Sequence, residues 1–295
     1  MTRVALITTG KCEHRALHHA LKRLFPEVEF ESLPPDAPLN CFTSIEVRHL
    51  SDKNSPTNPD SSIRQLVATM VGAVIPGGID DPFNFAFLID DLELCNDGHP
   101  HEVVELVRKA VRSHVEQSKW SLAKQERVVE AVRDKCSCHL LRPMVEAYFF
   151  GDPAALARAK AARPPQLDPT CDFEQLLATD PEYLAVPDDN DKLKPHNGGT
   201  GDRARHPKSY LTFLCDPTLT RKRPYAETKE GTSALESLDW HAVIQSAALK
   251  CPFLSAFLED LSWAVNAPLD WIAQEQTSEL TRMKLDDPAR VLRNI

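Results

Sequence analysis

The sequence predicts an α/β fold, a parallel sheet flanked by helices, with a mainly helical C-terminal region. Three observations predict it. Short apolar runs at 4–7 and 85–89 read as buried strands. Ala16, Leu17, Ala20, Leu21 and Leu24 recur at helical spacing between such runs. Strand, helix and strand then alternate along the chain, which argues for parallel strands joined by crossover helices.

Taken in order, residues 4–7 form a first strand, followed by a turn at Thr8-Thr9-Gly10 and a helix from Lys11 that Pro26 stops. Val28–Leu33 alternates acidic and apolar residues, as a half-buried strand near the sheet edge does. The stretch 34–59 is rich in Pro, Asn, Asp and Ser and reads as loop, with a strand expected around 45–49. Residues 63–74 give a second helix. After the strand at 85–89, residues 102–115 place Val103, Leu106, Val107, Ala110, Val111 and His114 on one helical face. Val128, Val129 and Val132 mark a further helix, 139–141 a strand and 145–150 a short helix. Asp152-Pro153 is a helix start, because Asp caps free N–H groups and Pro fits the first helical position. Residues 161–232 have weak periodicity, and the chain closes in helices. These features divide it into an α/β domain at 1–160 and a loop-rich, then helical, region at 161–295.

Composition narrows the function. The 295 residues are 42% hydrophobic and 26% charged, as in an ordinary globular protein. The apolar stretches fall short of a membrane span, and the N-terminus meets Lys11 and Glu13 too soon for a secretory signal. Eight scattered cysteines fit reduced thiols in the cytoplasm. A net charge of −9 opposes a simple electrostatic nucleic-acid binder, although local basic patches or bound cations can reverse the sign of the field.

The most informative stretch is 85–93, FAFLIDDLE, where an apolar run ends in Asp90, Asp91 and Glu93. Unpaired charge is heavily penalised in a core, so the acids belong at the strand's exit. In open α/β sheets, ligands bind outside the carboxyl ends of the strands. Glu13, at the start of the first helix, joins the trio if the first and the acid-tipped strands are neighbours. Carboxylates gathered in this way repel one another unless a divalent cation sits between them. Mg²⁺ (or Mn²⁺) takes oxygen ligands and can polarise a phosphoryl oxygen or activate water. The plainer reading is a strand end whose acids cap a loop, and spacing alone does not separate the two. The metal reading requires Glu13 and the trio to converge, and it fails if a salt-bridged lysine or arginine fills the gap.

Other groups are weaker. His14 and His18 share i, i+4 spacing but lack the glutamate of a metalloprotease helix, so a solvated face is expected. His99 and His101 follow the acids and could carry protons near neutral pH. Cys136 and Cys138 read as small buried hydrophobes on one strand face rather than zinc ligands with His139. The basic, glycine-bearing loop 198–208 offers Arg203, Arg205 and Lys208 as phosphate-binding residues, with Arg221, Lys222 and Arg223 beyond, though it is not a P-loop.

The ordered set VALITTGKCEHRAL, FAFLIDDLEL, HLLRPMVEAYFFGDPAAL and HPKSYL resembles a bacterial TOPRIM-like family of unknown function, over most of the chain. The most specific part is Met144-Val145-Glu146-Ala147-Tyr148 leading into Gly151-Asp152-Pro153. The resemblance implies a Mg²⁺-dependent nuclease, or a degenerate relative, often encoded beside ATPases in phage-defence loci. It also implies a glutamate after the first strand and an Asp-x-Asp pair after a later one. This chain departs from both: Thr9 stands where the first glutamate is usual, leaving Glu13, and Asp91-Leu92-Glu93 is the nearest acid-x-acid match. Glu146 is a candidate additional carboxylate.

Two functions follow as expectations. In one, Asp90, Asp91, Glu93 and Glu13 hold Mg²⁺ and hydrolyse DNA or RNA, with Arg203, Arg205 and Lys208 on the phosphate backbone. In the other, the chain is a catalytically degenerate sensor or adaptor. Its C-terminal region, with Trp240, Phe253, Phe257, Trp263 and Trp271, then docks an ATPase or a second copy as a homo-oligomer.

Overall fold

The computed structural model describes residues 1–47, 61–77, 81–186, 202–221, 224–246, 251–272 and 290–295. Its centre is a four-stranded, all-parallel sheet in the order β2-β1-β3-β4, built from β1 (Thr2–Thr8), β2 (Val28–Leu33), β3 (Phe85–Asp91) and β4 (Cys136–Leu141). The expectation of an α/β fold with parallel strands is met, as is the placing of Val28–Leu33 at the sheet edge. β1 lies against β3 in register, Val4 opposite Phe85 and Thr8 opposite Ile89, so the acid-tipped strand neighbours the first one. The chain leaves β1 toward β2 on one side, and β3 lies on the other. The carboxyl ends of β1 and β3 therefore flank the point where strand order reverses, the usual ligand crevice of such sheets.

Strand alternation sends side chains to two separate cores. Val4, Leu6, Phe87 and Ile89 face α1 (Lys11–Leu24) and the C-terminal elements, including Tyr210 and Phe257. Ala5, Ile7, Ala86 and Leu88 face α2 (Ser61–Val74), α3 (Pro100–Glu116) and α4 (Leu122–Lys135). The first core is continuous across residue 160. Residues 41–46 form turns, bends and irregular backbone and Val47 is helical, with no strand among them, and the rest of the strand expected at 45–49 lies outside the described residues.

The second half is a set of short helices: α5 (Glu146–Phe149), α6 (Pro153–Arg158), α7 (Pro181–Leu184), α8 (Pro207–Cys215), α9 (Thr232–Glu236), α10 (Trp240–Ser246) and α11 (Pro252–Ala264). Asp152 caps α6 as expected, its side chain accepting from the N–H of Ala154 at 2.8 Å. Buried Glu174 caps α11 from a distant part of the chain, accepting from the N–H groups of Phe253 and Leu254 at 3.1 and 2.8 Å.

The outer edge of β4 is also covered. Asn294 uses its side-chain amide as a strand would use its backbone, accepting from the N–H of Cys138 at 3.0 Å and donating to its carbonyl at 2.6 Å. Cys136 and Cys138 are buried on the second core, as expected. His139 points to the other face and pairs with Asp260 of α11 at 3.0 Å. All eight cysteines are free thiols, and no helix among the described residues is long and apolar enough to cross a membrane.

Candidate functional site, a lysine among carboxylates

The carboxylates gather at the carboxyl edge of β1 and β3, but not as one set. Asp90 continues the Ala86–Leu88 face and Asp91 the Phe87–Ile89 face, so the two adjacent acids leave the sheet on opposite sides.

Asp90, on the second-core side, is surrounded by neutral donors. The Thr9 hydroxyl donates to its Oδ1, the Cys41 thiol lies 3.4 Å from the same oxygen, and the Thr43 hydroxyl 3.3 Å from Oδ2. Thr9 is thus a hydrogen-bond partner of the aspartate. Burial pushes Asp90 up to about 6, and these three donors hold it from going higher.

On the first-core side, Asp91 meets Glu13, Glu93 and Glu146. Asp91 Oδ1 accepts from the N–H of Val145 at 3.0 Å, which ties the exit of β3 to the entry of α5. Glu13 lies in the first turn of α1, 4% exposed, its carboxylate folded back over Gly10 and accepting from its own N–H. A Cβ on Gly10 would fall 2.0 Å from Glu13 Oε2, so glycine is what leaves room for that carboxylate. Burial, then repulsion from Glu146, raises Glu13 to about 8. Burial, then Glu13, Glu93 and Glu146, holds Asp91 well above the usual carboxylate range.

Glu93 stands at the rim with φ 62° and ψ 149°, a backbone region that is almost glycine-only. Its N–H donates to the carbonyl of Pro143 at 2.8 Å, fixing the two strand exits together. Burial raises Glu93 to about 8; Lys208 acts against that rise, while Asp90, Glu146 and Glu13 add to it.

The positive charge among these acids is Lys208, from the first turn of α8. Its Nζ is ion-paired with Glu227 and lies 3.7 Å from Oε1 of Glu146, a carboxylate only 2% exposed. The same Glu146 oxygen accepts from the Tyr225 hydroxyl at 3.0 Å. Burial works against the charge on Lys208, but Glu146 and Glu227, with Asp91 further off, outweigh it and raise its pKa.

The expected site is therefore rearranged. Glu13, Asp91, Glu93 and Glu146 come together; Asp90 faces away; and a salt-bridged lysine holds the gap. Mg²⁺ needs several oxygens turned to one point. Here Asp90 is enclosed by hydroxyl and thiol donors, Glu13 and Asp91 accept backbone N–H groups, and Glu146 is shared by Tyr225 and Lys208. As arranged, Glu13, Asp90, Asp91 and Glu93 do not fit one divalent ion, and Lys208 supplies the balancing charge instead.

The three expected phosphate ligands also have partners inside the chain. Arg203 stacks on Tyr183 at 5.3 Å, Arg205 pairs with Asp97 at 2.7 Å, and Lys208 lies among the acids. Residues 198–201 and 222–223 of the basic stretch lie outside the described residues. His14 is buried, 3.4 Å from the Pro35 carbonyl, rather than on a solvated face, and His99 lies 3.4 Å from Glu102. Sequence reasoning missed Glu227 and Tyr225, which no local motif marks. Compared with known proteins, the chain finds no matching family model, no similar curated protein and no similar solved structure.

Proposed function

We propose that this chain is a TOPRIM-like protein whose acidic centre is balanced by its own lysine, and that it acts as a non-cleaving sensor or adaptor, with an ATPase as its partner class. One observation carries this reading: Lys208 sits between Glu146 and Glu227, at the place where a catalytic cation would be needed. Thr9 supports it, because a hydroxyl donor to Asp90 satisfies that aspartate without metal. The test is incubation with plasmid and single-stranded DNA or RNA in Mg²⁺ or Mn²⁺, alongside calorimetry with Mn²⁺. The expected outcome is no cleavage and no tight binding. Cleavage that EDTA stops, and that Asp91→Ala abolishes, would sink the reading.

A second reading, metal-dependent phosphodiester hydrolysis, has a specific observation in its favour. Glu13, Asp91, Glu93, Glu146 and Glu227 lie around Lys208 at the crevice of the sheet, and burial with mutual repulsion raises Glu13, Asp91 and Glu93, so these carboxyls resist ionising together unless a further cation joins them. Tight Mn²⁺ binding that is lost in Asp91→Ala but kept in Asp90→Ala would favour it, since only Asp91 faces the cluster.

A further inference from the structure

Beside the carboxylate centre, a second group of charges occupies the carboxyl edge of the sheet. Arg142 follows β4 directly, and Asp97 closes the 3₁₀ turn Leu94–Asn96 after β3. Arg205 reaches in from the 3₁₀ turn Arg203–Arg205 that precedes α8. Asp97 gives one oxygen to each arginine: Oδ1 accepts from Arg142 Nε at 2.5 Å, and Oδ2 accepts from Arg205 Nη2 at 2.7 Å.

One carboxylate thus holds two guanidinium groups side by side, and it stays ionised in doing so. Burial works against the charge on Asp97, but the two arginines outweigh it and lower its pKa. Among the described residues, the hydrogen bonds of the two guanidiniums use only these edges. Phe253 supports the Arg142 plane at 5.6 Å from its ring centre. Both side chains reach the surface, at 20% and 35% exposure.

Other carboxylates lie close to the pair. Glu174 and Asp172 also act on Arg142. Glu174, however, is raised to about 8 by burial and is largely protonated at neutral pH. Arg203 adds a third guanidinium from the same turn as Arg205. Planar forks held at fixed separation match the oxygens of a phosphoryl group better than a mobile lysine does.

We propose that Arg142 and Arg205, aligned by Asp97, form a binding site for a phosphoryl group at the sheet's carboxyl edge. This goes beyond the reading of the acidic centre and does not depend on it. It moves the phosphate contact from Lys208 to Arg142, a residue that the basic loop did not suggest.

The test is titration of the full-length protein, followed by NMR or calorimetry, with three probes. These are inorganic phosphate, a 5′-phosphorylated oligonucleotide, and the same oligonucleotide without the terminal phosphate. EDTA is present throughout, so that metal binding at the acids plays no part. Saturable binding of the first two probes is expected. Arg205→Lys and Arg142→Lys, which keep the charge and lose the fork, are expected to weaken it by about tenfold. Equal binding of the unphosphorylated strand would assign the site to internal phosphodiesters rather than terminal phosphate, and in that case too the lysine variants must weaken it. Absence of saturable binding to all three probes overturns the proposal. So does unchanged affinity in the more exposed Arg205→Lys variant, whether or not Arg142→Lys folds.

Discussion

Lys208 Nζ stands 3.7 Å from Oε1 of Glu146, and that distance sets the character of the acidic centre. Glu146 is 2% exposed, and an ionised carboxylate so placed needs a counter-charge. Tyr225 supplies a hydrogen bond to it, and among the described residues the ammonium of Lys208 supplies the charge. Lys208→Met should therefore leave Glu146 and Glu227 facing Glu13 and Asp91 without compensation. Losing one partner of such a pair costs about 3 kcal/mol, which should appear as a lower urea midpoint. Adding Mn²⁺ should recover part of the loss in the variant and have little effect on the wild type. A variant as stable as the parent would mean that the acids are already neutral without the lysine.

Glu13 predicts how stability depends on pH. Its ordinary pKa is 4.5, and in the fold it stands near 8. Between those values the folded state holds a proton that the unfolded state has released. The free energy of unfolding therefore falls as pH rises through this window and levels off above it. The slope is at most roughly 1.4 kcal/mol per pH unit for one proton. Denaturation midpoints should drop between pH 5.5 and 8.5, and Glu13→Gln should flatten that drop. Gly10→Ala should shift it too, because the added Cβ displaces the Glu13 carboxylate. Stability that rises with pH across this range would contradict the placement of Glu13.

Asn294 should matter more than its position near the chain end suggests. Its amide pairs with both backbone groups of Cys138 and so completes the outer edge of β4. Asn294→Ala leaves two buried backbone groups without partners, at about 1–3 kcal/mol each. Amide exchange at Cys138 should then rise well above that at Phe87 in the centre of the sheet. Equal protection at the two positions would show that the edge is covered by something else.

Much of this arrangement could be read from the chain. β1, α1, β3 and α3 are marked by strong apolar patterns, and the acid-tipped strand announced its own exit because ionised groups cannot continue through a core. The approach of Glu13 to Asp91 hung on the condition that β1 and β3 be neighbours, which the strand order meets. Two features were not legible. Asp90 and Asp91 look like a pair in sequence, yet alternation along β3 separates them, and which face each would meet depends on where the loop carrying Cys41 and Thr43 folds. Lys208 is distant in sequence from the acids and sits in a basic stretch that reads as a solvated loop. Only the packing of α8 against α5 brings it to Glu146.

Glu93 offers a direct test of backbone strain at the rim of the centre. At φ 62° and ψ 149° a side chain costs about 1–3 kcal/mol. Glycine would relieve that cost and give back roughly 0.5–1 kcal/mol through its freer unfolded chain. Glu93→Gly should therefore be about 1 kcal/mol more stable than Glu93→Ala, a comparison in which both variants lose the carboxylate and only the backbone term differs. If it is, the backbone at this turn is strained in solution and glycine folds better there than a residue with a side chain. If Glu93→Ala is the more stable of the two, the backbone at this turn is not strained in solution, and Glu93 is an ordinary loop residue beside the acids.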